Sequence, residues 1–114
     1  MDLASKKCVA CEGGTPPLSE TESRKFLSET LSWEIVENKK IKREFKFKDF
    51  KEAMAFVNKI AVIAEEEGHH PDIHVFYNKV LIELWTHAVG GLSENDFIMA
   101  AKINQLLNRI IDAQ

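Results

Sequence analysis

The chain has 114 residues, of which 45% are hydrophobic and 29% charged, and a formal net charge of −3 at pH 7. This is the composition of one soluble globular domain, and the slight acidic excess provides no broad cationic field for direct binding of nucleic acid. No apolar run approaches the roughly 20 residues that cross a bilayer and no signal-type segment is recognisable, so we expect a cytoplasmic protein without membrane contact.

The first 18 residues lack hydrophobic periodicity and contain a Gly-Gly and a Pro-Pro pair, which predicts an extended N-terminal arm at 1–18 and one domain at 19–114. In the arm, Cys8 and Cys11 form a C-x-x-C pair that could act in redox chemistry or supply half of a zinc site completed by another subunit. Because no second cysteine pair follows, we favour a dispensable arm in a reducing compartment.

A short helix and a strand pair open the domain. Ser19 and Glu22 have the spacing of a capping box, which predicts a helix to about Thr30. Residues 33–37 and 41–47 then read as two short strands joined by a polar turn.

A second helix and a second strand pair follow. Asp49 is the predicted N-cap of the helix and Gly68 its left-handed end. The apolar positions that recur at helical spacing are Phe50, Ala53, Met54, Val57, Ile60, Ala61 and Ala64. Residues 73–77 and 80–86 predict two more strands with a tight turn between them.

Ser93 and Asp96 cap the last predicted helix, which completes the order α-β-β-α-β-β-α. This order predicts an α+β fold, a four-stranded antiparallel sheet with helices packed on one face. On the other face Leu81 and Trp85 lie beside Glu83, and exposed apolar side chains of this size indicate cover by a ligand or another subunit. We therefore expect a homodimer or homotetramer.

The four histidines all fall in one stretch of the chain. His69 and His70 end the second helix and His87 ends the fourth strand, so the three are expected to frame one pocket. Glu65 lies one turn before His69 and is expected to orient it, whereas His74 is assigned a surface or structural role. Adjacent histidines have poor spacing for two metal ligands from one helix, so no metal is expected.

These residues resemble a known family pattern. The positions that match it at fixed spacing are Glu65, His69-His70-Pro71, Tyr77, His87 and Asp96. The pattern is similar to the signature of the pterin-4a-carbinolamine dehydratases, known in animals also as dimerisation cofactors of a homeodomain transcription factor. The resemblance extends over about residues 19–110.

The resemblance implies a hydro-lyase that converts a 4a-hydroxytetrahydropterin to quinonoid dihydropterin and water in tetrahydrobiopterin-type recycling, with no cofactor. It also implies that Glu65 supports His69. The residues that it places against the pterin are His69, His70, Pro71, Thr86, His87, Ala88, Val89 and Trp33. Protonation of the leaving hydroxide and removal of a ring N–H proton need one acid and one base, which we assign to His69 and His87 without deciding between them. His70 would bind and orient the pterin, and for Asp96 we favour the capping role.

Three alternatives remain open at this point. The fold could serve as a non-enzymatic dimerisation or binding module for a protein partner, as the animal relatives resemble doing. It could be a pterin-binding accessory protein in molybdopterin metabolism. The histidines could instead hold zinc in a hydrolase, which would require stoichiometric metal.

Overall fold

The structure is a computed structural model that describes residues 2–9 and 15–112, with side chains described as far as Asn108. The helices and strands in this part of the chain are α1 (Glu20–Leu27), β1 (Glu34–Val36), β2 (Lys40–Lys46), α2 (Phe50–Glu67), β3 (Asp72–Phe76), β4 (Lys79–Leu84) and α3 (Glu94–Asp112). Short 3-10 turns lie at Leu3–Ser5 and His87–Val89. The predicted order and the α+β class are confirmed.

The four strands form one antiparallel sheet in the order β1-β2-β4-β3. β2 and β4 are the central pair, with Ile41 opposite Leu84. The turn between β1 and β2 has positive φ at both Glu37 and Asn38, 53° and 54°, which matches the right-handed twist of a tight hairpin. Both predicted strand pairs are therefore hairpins, and the histidine-bearing segments flank the second one.

Helices α2 and α3 cover one face of the sheet. On β4, Val80, Ile82 and Leu84 are fully buried beneath the helices, as their alternation predicted. Leu81 and Glu83 point to the opposite, open face. No helix in the described part of the chain is long and apolar enough to cross a membrane.

The buried face of α2 differs in part from the prediction. Phe56 is fully buried, whereas Phe50 is 50% exposed and Ala61 is exposed. The Phe56 ring packs 4.9 Å from Phe45 and 5.0 Å from Phe47, between centroids. Apolar residues occur on more than one side of this helix, so periodicity alone did not select the buried side, whereas the contacts with Phe45 and Phe47 did.

The predicted helix caps are present. Ser19 and Glu22 form the reciprocal capping box of α1, and the Asp49 side chain accepts a 2.9 Å hydrogen bond from the Glu52 amide at the start of α2. α2 ends at Gly68, which has φ 65°. Caps of this kind stabilise a helix by about 1 kcal/mol each. The left-handed Gly68 also sets the direction of the chain just before His69.

The described part of the N-terminal arm packs on α3. Leu3 is only 2% exposed and belongs to the hydrophobic core. Lys102 Nζ donates a 2.8 Å hydrogen bond to the Ala4 carbonyl, and Lys6 pairs with Glu94. Cys11 lies outside the described residues, so the interpretation of the cysteine pair stays a prediction.

Candidate functional site

The end of α2 and the segment after β4 meet around a pocket of about 430 Å³. Gly68 turns the chain out of α2, and beyond β4 Thr86 donates a 2.8 Å backbone hydrogen bond to the Gly91 carbonyl, which closes the loop that carries His87. The residues that line the pocket are Val9, Gly68, His69, His70, Pro71, Asp72, Trp85, Thr86, His87, Ala88 and Asn95.

The pocket brings together all three histidines assigned to function, and with them Pro71, Thr86 and Ala88. Val89 is not part of its lining. Trp33 lies elsewhere in this chain: it is 5% exposed, its indole nitrogen donates a 2.8 Å hydrogen bond to Asn104 Oδ1, and its ring packs against Phe45. Its position directly before β1 places it under the helices, so Trp33 is a core residue here.

His69 is paired with a buried carboxylate. Its Nε2 lies 2.7 Å from Asp96 Oδ1, and the two side chains are 12% and 0% exposed. The second oxygen of Asp96 accepts a 2.9 Å hydrogen bond from Thr86 Oγ1 and a 3.0 Å hydrogen bond from the Ser93 amide. With two donors on one oxygen, a carboxylate acceptor fits this environment, and the imidazole then donates to the other oxygen from Nε2.

Asp96 therefore does more than the capping role that we favoured. It caps the start of α3 through the Ser93 amide and also holds the His69 ring from 27 residues away in sequence. The position of Asp96 in the family-like pattern could have indicated this second role, but the capping role alone was enough to explain the residue.

Glu65 contacts His70, whereas we expected it to orient His69. His70 Nε2 is paired with Glu65 Oε2, and the side chains are 60% and 76% exposed. The expectation assumed that the helical face continues through His69. Because Gly68 adopts the left-handed conformation, the chain leaves the helix there and the His69 ring turns toward α3 instead.

His87 lies on the exposed rim of the pocket, in the 3-10 turn His87–Val89. Its ring packs against Trp85 in a tilted arrangement, with a centroid distance of 3.7 Å and an interplanar angle of 35°. The Trp85 indole nitrogen in turn donates a 3.3 Å hydrogen bond to Asp72 Oδ2. Sequence reasoning had placed Trp85 on the open sheet face but had not connected it with the site.

His74 lies outside the pocket, on the open face of the sheet. Its Nε2 is 3.0 Å from Glu83 Oε1, and Lys40 Nζ is 2.5 Å from the other oxygen of Glu83. The hydrogen bond from Lys40 lowers the pKa of Glu83, burial opposes the shift, and the hydrogen bond with His74 adds to it. These contacts fit a structural role for His74.

The N-terminal arm reaches the pocket, which sequence reasoning missed. The Val9 amide donates a 3.0 Å hydrogen bond to Asn95 Oδ1, and Asn95 Nδ2 donates a 2.6 Å hydrogen bond to the Val9 carbonyl. These two hydrogen bonds hold Val9 in the wall of the pocket. Neither residue type carries a signal for such a contact, since it depends on where the arm crosses the start of α3.

Cys8 is a half-buried free thiol next to this contact. Burial, followed by the charge of Glu67, raises the pKa of the Cys8 thiol to about 12. A thiol with this pKa is protonated near neutral pH. Among residues 2–9 and 15–112, no cluster of three or more His, Cys, Asp or Glu side chains is arranged to hold a metal ion.

Comparison with known proteins decides the family. Residues 16–106 match the profile of a family described as "Pterin 4 alpha carbinolamine dehydratase". The chain belongs to this family. Similar proteins that are provisionally named pterin-4-alpha-carbinolamine dehydratases include one from Alkaliphilus metalliredigens, 48% identical over 91% of this chain and 95% of the relative. One from Nitrosospira multiformis is 52% identical over 92% of both chains.

Solved structures show the same fold. A "transcriptional coactivator/pterin dehydratase" from Brucella melitensis superposes with a TM-score of 0.75 at 38% identity, over 79% of this chain and 97% of that one. A second structure, described as a pterin dehydratase-like protein that is a RuBisCO assembly factor in the alpha-carboxysome, has a TM-score of 0.57 at 26% identity, over 66% and 88%. The family resemblance inferred from the histidine pattern is confirmed.

Proposed function

We propose that this chain dehydrates a 4a-hydroxytetrahydropterin to quinonoid dihydropterin and water by histidine acid–base catalysis, in the recycling of a tetrahydrobiopterin-type cofactor. The observation that carries the proposal is the pocket where His69 and His87 arrive from separate segments and a buried carboxylate holds His69. Membership of the dehydratase family supports the substrate class.

His69 is the proposed base. Asp96 accepts a hydrogen bond from the Nε2–H of His69. This fixes the tautomer of the imidazole and leaves its Nδ1 as the nitrogen that can take a proton from a ligand. The charge of Asp96 then stabilises the imidazolium that forms. A base held in one orientation in this way needs no reorganisation during the reaction.

His87 is the proposed acid. Hydroxide is a poor leaving group, so an imidazolium at His87 delivers a proton to it while the C4a–O bond breaks, and water leaves. The electron pair that forms the new C=N bond comes from the ring N–H, whose proton goes to His69. His69 gains one proton and His87 loses one, so the net proton count of the protein is unchanged, and proton exchange with water restores both groups before the next turnover. Each such transfer typically contributes about 10²–10⁴-fold to the rate.

His70 is the proposed binding residue. Its ring lines the same pocket but is 60% exposed, and its partner Glu65 is in open solvent. A solvated pair has little influence on proton transfer, and it suits a group that hydrogen-bonds and orients the polar edge of a pterin.

We also propose a homodimer or homotetramer in the cytoplasm. Leu81 and Trp85 are half-buried on the open face of the sheet, where a second subunit would cover them. The free thiol of Cys8 suits a reducing compartment.

A non-enzymatic role is the second candidate. It is favoured by one observation, the similarity of this chain to a pterin dehydratase-like protein described as an assembly factor. A scaffold does not need the buried pair of His69 and Asp96 beside a third histidine, so the site favours the enzymatic role, although both can coexist in one chain.

The test is stopped-flow decay of freshly generated 4a-hydroxytetrahydropterin, with and without the protein. We expect His69→Ala and His87→Ala each to lower turnover at least about tenfold, and the double variant to approach the spontaneous rate. His74→Ala is the matched control because its ring lies outside the pocket, and circular dichroism checks each fold. If the wild type leaves the decay unchanged, the enzymatic role is wrong and the binding role takes its place.

A further inference from the structure

Trp85 contacts both chain segments that carry the pocket histidines. Its indole Nε1 hydrogen-bonds Asp72 Oδ2, one residue after Pro71, and its ring lies 3.7 Å from the ring of His87. One rigid aromatic side chain thus spans from the segment that follows α2 to the turn that follows β4.

The sheet register explains why Trp85 can make this connection. Asp72 pairs with Glu83, so Trp85 lies diagonally across from Asp72 on the same open face. The next residue, Thr86, is bonded to Gly91 and to the carboxylate of Asp96, which fixes the backbone on which the indole stands. Trp85 is therefore anchored at both its backbone and its nitrogen.

His87 gains orientation from this anchor. Its side chain is on the exposed rim, and its 3-10 turn has no side-chain cap. An exposed imidazole samples several rotamers, and a misplacement of about 1 Å at a reacting group can cost about 10²-fold in rate. Contact with the indole limits the rotamers that the His87 ring can adopt.

We propose that Trp85 is a positioning residue for His87, and that through Asp72 it sets the span between His87 and the His69–His70 segment. This inference rests on the proposed function, because it gives His87 a proton-transfer role. It predicts that a substitution of Trp85 changes turnover because it changes the orientation of the His87 ring.

The alternative is that Trp85 serves only as part of the pocket wall, and the experiment must distinguish this role from the positioning of His87. Trp85 also borders a second cavity of about 430 Å³, lined by the β1–β2 turn and Gly90. Loss of the indole could join the two cavities and weaken substrate binding. A wall role raises KM, whereas a positioning role lowers kcat with KM preserved.

The kinetic experiment compares Trp85→Leu with Trp85→Phe. We expect Trp85→Leu to lower kcat about tenfold with KM within about twofold, and Trp85→Phe, which keeps a ring to stack, to retain kcat within about threefold. Phe76→Leu is the matched control because Phe76 is a 59% exposed aromatic at the far end of β3. An unchanged kcat for Trp85→Leu, or a change confined to KM, overturns the proposal.

A double-variant cycle tests the span through Asp72. Asp72→Ala removes the acceptor of the indole N–H, and Trp85→Phe removes the donor. We expect the combined loss in kcat to be smaller than the product of the two single losses, because the second change removes a bond that is already absent. Full multiplicativity would show that Asp72 acts independently of Trp85 and would overturn this part.

A fluorescence titration without substrate separates this inference from the proposed function. An imidazolium in contact with an indole quenches its emission, so acidification should lower the intensity of the wild type but not of His87→Ala. The other titratable groups that line the two cavities beside Trp85 are His69, His70, Asp72, Glu37, Lys39 and Lys40. The Trp85→Phe variant retains only Trp33, so its emission gives the baseline.

An identical change of intensity in the wild type and in His87→Ala overturns the proposed contact between Trp85 and His87. A change that requires His87, found in a protein without dehydratase activity, supports the contact but overturns the proposed function.

Discussion

His69 and His70 are neighbours in the chain, and each has its Nε2 against a carboxylate, yet the two pairs differ in almost every physical respect. The His69–Asp96 side chains are 12% and 0% exposed, and those of His70 and Glu65 are 60% and 76% exposed. Solvent and salt screen an interaction between exposed groups such as the second pair, whereas a buried pair such as the first is largely shielded from both. The comparison teaches that burial and the remaining partners of the carboxylate, rather than residue type, decide which histidine is held in one orientation.

The largest expected effect is at the buried pair. Asp96→Asn retains the shape but loses the charge, and its amide group must turn an N–H toward either His69 or the donors at Thr86 and Ser93. We expect kcat to fall at least about tenfold and the free energy of unfolding to fall by about 2 kcal/mol. Stopped-flow kinetics and urea unfolding measure the two effects.

Asp49→Asn is the control for that variant, because Asp49 caps α2 in the same way, whereas only Asp96 of the two is hydrogen-bonded to a histidine among the described contacts. It should lower stability slightly and leave kcat unchanged. If Asp96→Asn behaves like Asp49→Asn, Asp96 is a helix cap and the contrast between the two histidines has no catalytic meaning.

The third pair, His74–Glu83, sharpens the comparison because it is intermediate in burial, at 46% and 16% exposure. The hydrogen bond from Lys40 lowers the pKa of Glu83 from 4.5, so this group stabilises the fold above its unfolded pKa and loses that contribution as the pH falls through the folded one. We expect the free energy of unfolding to decline more steeply between about pH 5 and pH 3 in the wild type than in Glu83→Gln. Urea unfolding across that range measures the slopes, and equal slopes would contradict a contribution from this pair.

The smallest effect is expected at the exposed pair. Glu65→Gln should leave kcat within about twofold and the free energy of unfolding within about 0.5 kcal/mol, because a solvated pair contributes little. The same kinetic and unfolding assays apply. A tenfold loss of kcat would erase the distinction between the two pairs and restore the role first expected for Glu65.

Much of the fold follows from local signals in the chain. The capping residues Ser19 and Asp49 and the helix end at Gly68 act over three or four residues, and strand alternation acts over two, so these features were predicted with small shifts of their ends. α1, for example, ends at Leu27 rather than near Thr30. The clustering of the histidines and their family-like spacing were also visible in the sequence alone.

The tertiary structure decided the partners. Asp96 reaches His69 because α3 packs beside the end of α2, and Val9 enters the pocket wall because the arm crosses the start of α3. Phe56 rather than Phe50 faces the core because it packs against the rings of Phe45 on β2 and of Phe47 directly after it.

Sequence alone therefore determined the elements, their order and the family, since hydrogen bonds within a turn or a cap depend on residues a few positions apart. It did not determine which carboxylate holds which histidine, or that the Trp85 ring packs against His87. Those contacts depend on how separate elements pack, and a single left-handed residue at Gly68 redirects the chain that carries His69 and His70.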